Sequence, residues 1–325
     1  MLDIQLQTLS LTNEEVQLNF PVLDCVFETP IANVSFVIRL PNGGRVEADF
    51  DKKALQKMKE AKLFKSTASF KLESDLKLVA LSFVGLIALV FFLLKVVIPA
   101  GSEYFANHTP QKWANSLDNV LLPQLDQLFL GKTELSAQRQ DELNTLFNKF
   151  GLEPYDIHFR KGKSLRANAF ALAGNTLVFT DEIVEHMNND MYLLAIGLHE
   201  VGHLKHRHLL RRLLRDSAAG ILSIALIGDL AGGSETLAQL GFVLVSRDFS
   251  RSDESQADAH SLEVLHELGV SPLCMAEALG KLQEYYKNET VDSKIFNRLS
   301  THPSTNDRIA SVKARFPNAE SCEIK

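Results

Sequence analysis

Apolar and polar positions alternate in two short runs near the start of the chain. The run Val34-Ser35-Phe36-Val37-Ile38-Arg39-Leu40 alternates with Val37 as the one exception, and Arg45-Val46-Glu47-Ala48-Asp49-Phe50 alternates again. Pro41-Asn42-Gly43-Gly44 lies between them. Two period-two runs around such a turn predict a β-hairpin. Residues 1–70 therefore read as a small β-rich module. No cluster of acids, histidines or nucleophiles suggests chemistry there.

The pattern changes at Leu78. From Leu78 to Leu94 no residue is charged; Lys95 interrupts, and Val96-Val97-Ile98 continue the run. About 20 mostly apolar residues span a bilayer as a helix. Residues 78–98 meet that length if Lys95 snorkels to the interface, with Pro99 and Gly101 expected to end the helix. The run is apolar on every face, which argues against a core helix of a soluble protein. Residues 99–325 then form a third segment. Within it, 104–150 reads as amphipathic helix, with Leu121, Leu122, Leu125, Leu128 and Phe129 at helical spacing. Residues 155–180 read as extended with a turn at Gly174-Asn175, and 191–216 as a helix. The apolar stretches Ala218–Leu230 and Leu237–Val245 are short for a span and read as buried or membrane-grazing helices.

Charge refines this picture. The formal net charge is −6, unlike the basic footprint of a nucleic-acid binder, so no nucleic-acid partner is expected. Lys57, Lys59, Lys62, Lys65, Lys71 and Lys77 precede the apolar run, and only Lys95 and Lys112 follow it over a similar length. That bias predicts a cytoplasmic N-terminus and residues 99–325 on the far side of the membrane, with membrane lipid as the partner of the spanning helix. Met1-Leu2-Asp3-Ile4 lacks the basic and apolar regions of a cleaved signal peptide. Cys25, Cys274 and Cys322 form no CxxC pair, so a sulfur-ligated metal site is not suggested. A Cys274–Cys322 disulfide is compatible with an extracytoplasmic location.

The chemistry lies on the helix that Asn189-Asp190 can cap. It carries His199-Glu200-Val201-Gly202-His203. Two histidines four apart project from one helix face and can reach one ion. Neutral imidazole suits Zn²⁺, and Glu200 beside the pair is placed to move protons for an activated water. A third protein ligand must come from elsewhere. The segment Phe249–His260 offers Glu254 and Asp258 four apart, with Asp253 and His260 as competing ligands. If Glu254 is the ligand, Asp258 can orient a ligating histidine through its other ring nitrogen. The alternative for 251–260 is a solvated charged face. His206 and His208 are expected at the surface, with a contact to the site as the less favoured alternative.

Taken together these motifs resemble the HtpX and CAAX prenyl-protease family of membrane-anchored gluzincin peptidases, over roughly residues 100–320. The HExxH matches His199–His203, and the downstream ExxxD matches Glu254–Asp258 after Ser250-Arg251. The resemblance implies one Zn²⁺ per chain on His199, His203 and Glu254, with Asp258 behind them and Glu200 as general base. Asn168-Ala169-Phe170-Ala171 is similar to the family's edge strand, along which an extended peptide substrate lies; Ala173-Gly174-Asn175 replaces the usual Pro-Gly-Gly after it. Thr301-His302-Pro303-Ser304, with Arg308 beyond, resembles the family's C-terminal His-Pro…Arg element. His302 and Arg308 are thereby implied near the site, where either can stabilise an oxyanion.

The fold class implied is α+β: a mainly helical zincin-like peptidase domain with a small sheet, a β-rich N-terminal module and one transmembrane helix. The function implied is a zinc endopeptidase of the bacterial inner membrane, acting on unfolded or misassembled envelope polypeptides. The architecture resembles a bacterial single-span subgroup and departs from the multi-span prenyl proteases, so prenyl-peptide cleavage is not carried over. The alternative is a non-proteolytic zinc-bound adaptor or holdase. The sequence leaves the oligomeric state open.

Overall fold

The computed structural model describes residues 2–5, 8–12, 17–28, 36–50, 52–63, 76–227, 249–288 and 305–322. The chain forms two compact units, Met1–Leu93 and Leu94–Lys325.

In the first unit, β1 (Leu2–Gln5), β2 (Thr8–Thr12) and β3 (Gln17–Pro21) make an antiparallel meander. A second sheet joins β4 (Val26–Phe27), β5 (Phe36–Arg39) and β6 (Arg45–Ala48). The predicted hairpin is the β5–β6 pair, with Phe36 opposite Ala48 and Arg39 opposite Arg45. Leu9, Phe27, Phe36, Ile38 and Met58 of helix α1 (Lys52–Glu60) share one small core.

The apolar run is helical. Among the described residues one helix, Lys77–His108, is long and apolar enough to cross a membrane, and none of its apolar window is buried. It comprises α2 (Leu76–Phe92), a π-turn at Leu93–Val97 and α3 (Ile98–His108). Pro99 therefore does not end it, contrary to the sequence expectation. Proline lacks an amide hydrogen and crowds the carbonyl four residues back. It falls at the start of α3, directly after the wider π-turn, where the displaced backbone can accommodate it. The helix closes at Thr109, next to Pro110, instead.

In the second unit, a mixed sheet has the order β7-β8-β10-β9, where β7 is Gly131–Lys132, β8 Asp156–Lys161, β9 Ala169–Ala171 and β10 Thr176–Thr180. β8 and β10 are parallel, and β9 pairs antiparallel with β10 at the sheet's edge. Helices α4 (Gln111–Leu128), α5 (Ala137–Lys149) and α6 (Asp181–His186) flank it. The core gathers Phe147, Leu152, Leu177, Phe179, Leu193 and Leu194, with the Phe147 and Phe179 rings stacked at 5.2 Å. The extended reading of 155–180 holds apart from a 3₁₀ turn at Lys163–Leu165, and the helical reading of 104–150 holds apart from the break at Thr109-Pro110 and the segment 129–136 that carries β7.

The single helix predicted over 191–216 is two. α7 (Asp190–Lys205) stops, and α8 (His208–Ile227) starts after His206-Arg207. Arg207 sits at φ +52°, a left-handed conformation that breaks helical hydrogen bonding. Its guanidinium compensates by donating to the carbonyls of Ala106 (2.8 Å) and Thr109 at the end of α3. Residues 218–227 of the first short apolar stretch are the C-terminal half of α8, and 228–248 lie outside the described residues. Helices α9 (Arg251–Glu267), α10 (Leu273–Asn288) and α11 (Thr305–Arg315) are the remaining α-helices among the described residues. Cys274 and Cys322 are joined by a disulfide.

Candidate metal centre and active site

The helix α7 is built to bury its polar residues. The Asn189 side chain accepts from the Met191 amide at 2.9 Å and caps its start. His199, Glu200 and His203 are each only 2% exposed. The facing helix, α9, begins with a capping box: Ser250 Oγ accepts from the Asp253 amide, and Asp253 Oδ2 accepts from the Ser250 amide. Gly202 sets the approach of the two helices. A Cβ at that position would lie 2.8 Å from Ala257 Cα, so only glycine lets α9 come this close. The close crossing presents buried Glu254 and Asp258 to the histidines.

The geometry is compact. His199 Nε2 and His203 Nε2 lie 3.1 Å apart. Glu254 Oε2 is 3.6 Å from the first and Glu254 Oε1 is 3.5 Å from the second. These residues form the group in the described structure that can share a metal ion, with ligand atoms all within 4.8 Å of one another. His199 Nδ1 donates to Asp258 Oδ1 at 2.9 Å, which leaves Nε2 with a lone pair facing the cluster. Imidazole lone pairs and a carboxylate converging in a buried space repel one another unless a cation sits between them. The donor set therefore fits a divalent metal of the kind that prefers nitrogen and oxygen ligands.

Asp253 and His260, the competing ligands, fall outside this group. Asp253 is committed to the cap and to Arg211, whose Nη2 donates at 3.0 Å. His260 is six residues from Glu254 and so points to a different face of α9, at 100° per residue. Arg308 does reach the site and is only 8% exposed. It grips Asp258 with two hydrogen bonds, Nε to Oδ2 at 2.8 Å and Nη2 to Oδ1 at 2.6 Å, and places Nη1 2.9 Å from Glu254 Oε2. Burial alone would raise the Asp258 carboxyl pKa, but Arg308 and His199 outweigh it and hold the group well below the usual carboxylate range. His302 lies outside the described residues.

Glu200 leans the other way, toward the sheet. Its Oε2 accepts from the backbone amide of Ala171 at 3.0 Å. The hydrogen bonds from Leu172 to Thr176 and from Thr180 to Asn168 fix the register of β9 on β10. Ala169 and Ala171 therefore turn their backbone N–H and C=O groups away from the sheet. The sequence-predicted strand is thus an edge, beside the general-base candidate.

A family comparison covers the segment that carries this cluster. The sequence model of peptidase family M48 matches residues 134–316, more than half the chain. The chain belongs to peptidase family M48. Among its relatives, a beta-barrel assembly-enhancing protease of Yersinia pestis is 28% identical over 189 residues, covering 53% of this chain and 38% of that protein. The metalloprotease LoiP of Escherichia coli is 27% identical over 192 residues, covering 56% of this chain and 72% of LoiP. A protease HtpX homolog of Methylibium petroleiphilum is 27% identical over 188 residues, covering 46% of this chain and 65% of that protein. The matched region thus spans little more than a third of the Yersinia relative's length.

Several residues that surround this cluster were not singled out from the sequence. Asp118 of α4 accepts from the amides of Ala173, Gly174, Asn175 and Thr176 at 2.8–3.1 Å, clamping the turn after the edge strand. Burial raises its pKa, and hydrogen bonds from Gly174, Thr176 and Asn175 offset the rise only in part. Gly174 is required there because a Cβ would lie 2.7 Å from the Asn115 backbone. Tyr286 Oη donates to the Ala167 carbonyl at 2.7 Å and ties down the strand's other end. Asp118 carried a signal: it stands in register with Ala114, Leu121 and Leu125 on the buried face of α4. His208, read as a surface residue, is 2% exposed. Its Nδ1 is 2.8 Å from His203 Nδ1, and burial pushes its pKa down to about 4.

Proposed function

We propose that this chain is a zinc-dependent endopeptidase with a zincin-like catalytic domain, anchored by one membrane helix. The convergence of His199, His203 and Glu254 beside Glu200, itself hydrogen-bonded to an edge strand, carries the reading. His199, His203 and Glu254 hold the metal. Bound zinc supplies Lewis acidity, polarising the scissile carbonyl and acidifying water in the site.

The remaining work falls to the protein. An extended peptide pairs with the outward N–H and C=O groups of β9, so recognition rests on backbone and tolerates many sequences. Asn168, Ala169, Phe170 and Ala171 form that strand, with Ala169 and the Ala171 carbonyl supplying the outward groups while Glu200 holds the Ala171 amide. Glu200, held by the Ala171 amide, takes a proton from the attacking water and returns it to the departing amine. Asp258 fixes the His199 tautomer, and Arg308 fixes Asp258 and Glu254 in turn. With its N–H groups directed at these carboxylates, Arg308 is a positioning residue rather than an oxyanion donor. His302 is retained as a candidate for that second role on sequence resemblance. A binding-only adaptor needs no proton carrier at the Glu200 position, which weighs against the holdase reading. Glu200→Gln is expected to keep zinc at one ion per chain and to lower casein cleavage by at least about 100-fold. Cleavage at the wild-type rate would refute the mechanism.

The substrates proposed are unfolded or misassembled envelope proteins. The name of the Yersinia relative, beta-barrel assembly-enhancing protease, supports a role in the envelope. We place residues 1–70 in the cytoplasm as a separate module, the span at 78–98, and the peptidase domain, 99–325, outside the bacterial inner membrane. The lysine bias before the span and the Cys274–Cys322 disulfide both support that orientation. Alkylation of intact cells should leave these two cysteines unmodified until reductant is added. Free thiols at both positions would reverse the topology.

A further inference from the structure

His203 is one of the two histidines proposed above as metal ligands, and what sets its ring is not Asp258 but a second histidine. His208 opens α8, just past the helix break at Arg207. The break brings the His208 ring back against α7, with Nδ1 2.8 Å from His203 Nδ1. Two facing ring nitrogens at this distance share one proton: one donates and the other must accept.

The far side of His208 decides which. Its Nε2 is 3.1 Å from Gln256 Oε1 and 3.5 Å from Asp253 Oδ1, so oxygen acceptors flank it. The Gln256 amide is oriented by its own Nε2, which donates to Ser252 Oγ. Asp253 is held in turn by Arg211. An unprotonated Nε2 would face these oxygens lone pair to lone pair. The proton of neutral His208 therefore sits on Nε2, and its Nδ1 is bare. His203 must then donate from Nδ1, and its Nε2 is left unprotonated, aimed at His199 Nε2 and Glu254. The opposite tautomer would put a hydrogen on His203 Nε2, into the space the metal needs.

We propose that His208 is a positioning residue for the metal: through Gln256 and Asp253 it locks His203 in the tautomer that presents Nε2 to the ion. This rests on the zinc reading of His199, His203 and Glu254. Each ligating histidine then has its own orienting partner, Asp258 for His199 and His208 for His203. Both partners are themselves fixed by α9 residues or by a residue bound to α9. Such orienting partners typically set metal affinity by about 10–100-fold.

Zinc dissociation constants of the full-length protein in detergent, measured by chelator competition, test it. His208→Leu removes the acceptor and is expected to weaken zinc binding about 10–100-fold. His208→Asn places an amide oxygen near the position of Nδ1 and is expected to recover most of that loss. Equal zinc affinity in wild type and His208→Leu overturns the proposal while leaving the zinc reading intact. A wild-type protein that binds no zinc refutes the zinc reading itself. If His208→Leu does not fold, ¹⁵N spectra of histidine-labelled wild type decide the point. A hydrogen on His208 Nε2 and none on its Nδ1 is the expected pattern, and the reverse overturns the proposal.

Discussion

At the scale of single residues, the site is a set of buried polar groups that satisfy one another only in fixed protonation states. Asp258 must be ionised to hold Arg308 and His199, and His208 must be neutral to accept from His203. His260 illustrates the cost of burying a histidine without such a role. Its pKa is lowered to about 4, first by burial and then by Lys205, His206 and His199 nearby. A histidine whose folded pKa lies below its unfolded value of about 6.5 favours the unfolded chain as protons are added. Stability is therefore unaffected above that value and is lost progressively as pH falls from about 6.5 toward 4. His260→Gln is expected to remove this dependence. The cost, discounted for the residue's partial exposure, is on the order of 1 kcal/mol. The variant should melt about 3 °C above wild type near pH 4.5 and gain less near pH 8. Thermal melts of metal-free protein at both pH values measure it, and equal gains would contradict the assignment.

At the scale of elements, the proposed catalytic arrangement depends on how closely α7 and α9 cross and on how firmly the edge strand is held. Gly202 controls the crossing. Gly202→Ala would drive a Cβ against the Ala257 backbone, where no flexible side chain can yield. The expected consequence is about 1–3 kcal/mol of lost stability from overpacking. Weaker zinc binding is also expected, because Glu254 is displaced from the histidines. Wild-type melting temperature together with wild-type zinc affinity in this variant would show that the crossing has slack. The edge strand is held from three sides: Asp118 at its turn, Tyr286 at its start and Glu200 at Ala171. Four of the backbone amides involved converge on one carboxylate, so the turn that replaces Pro-Gly-Gly is fixed by a helix rather than by its own sequence.

At the scale of the whole molecule, the C-terminal segment is tied back to the catalytic unit by the Cys274–Cys322 disulfide, across a sequence separation of 48. The same region is fixed by Asn189, whose Nδ2 donates to the Cys322 carbonyl at 2.9 Å while its Oδ1 caps the catalytic helix. Closing a loop of this length stabilises a fold by about 2–4 kcal/mol, chiefly by restricting the unfolded chain. The double variant Cys274→Ser/Cys322→Ser is expected to lower the denaturation midpoint correspondingly in urea titrations. An unchanged midpoint would mean that the bridge is dispensable.

The sequence by itself determined the chemistry and the local elements. His199 and His203 lie four apart on one helix, so their shared face follows from helix geometry alone, with Glu200 to the side of the pair. Glu254 and Asp258 obey the same rule on a second helix. The hairpin at Pro41–Gly44 and the apolar run from Leu78 were legible because each rests on a periodicity or a length. The tertiary structure decided what depends on partners distant in the chain. The separation of α7 from α8 hinges on Arg207 reaching carbonyls of α3, about a hundred residues away in sequence. The choice of Glu254 over Asp253 and His260 follows from which face of α9 meets Gly202. Asp118 and His208 acquire roles only when α4 meets the turn and α8 folds back on α7. Spacing encodes contacts within an element; a tautomer or a clamp needs two elements to meet, and only the folded chain brings them within hydrogen-bonding distance.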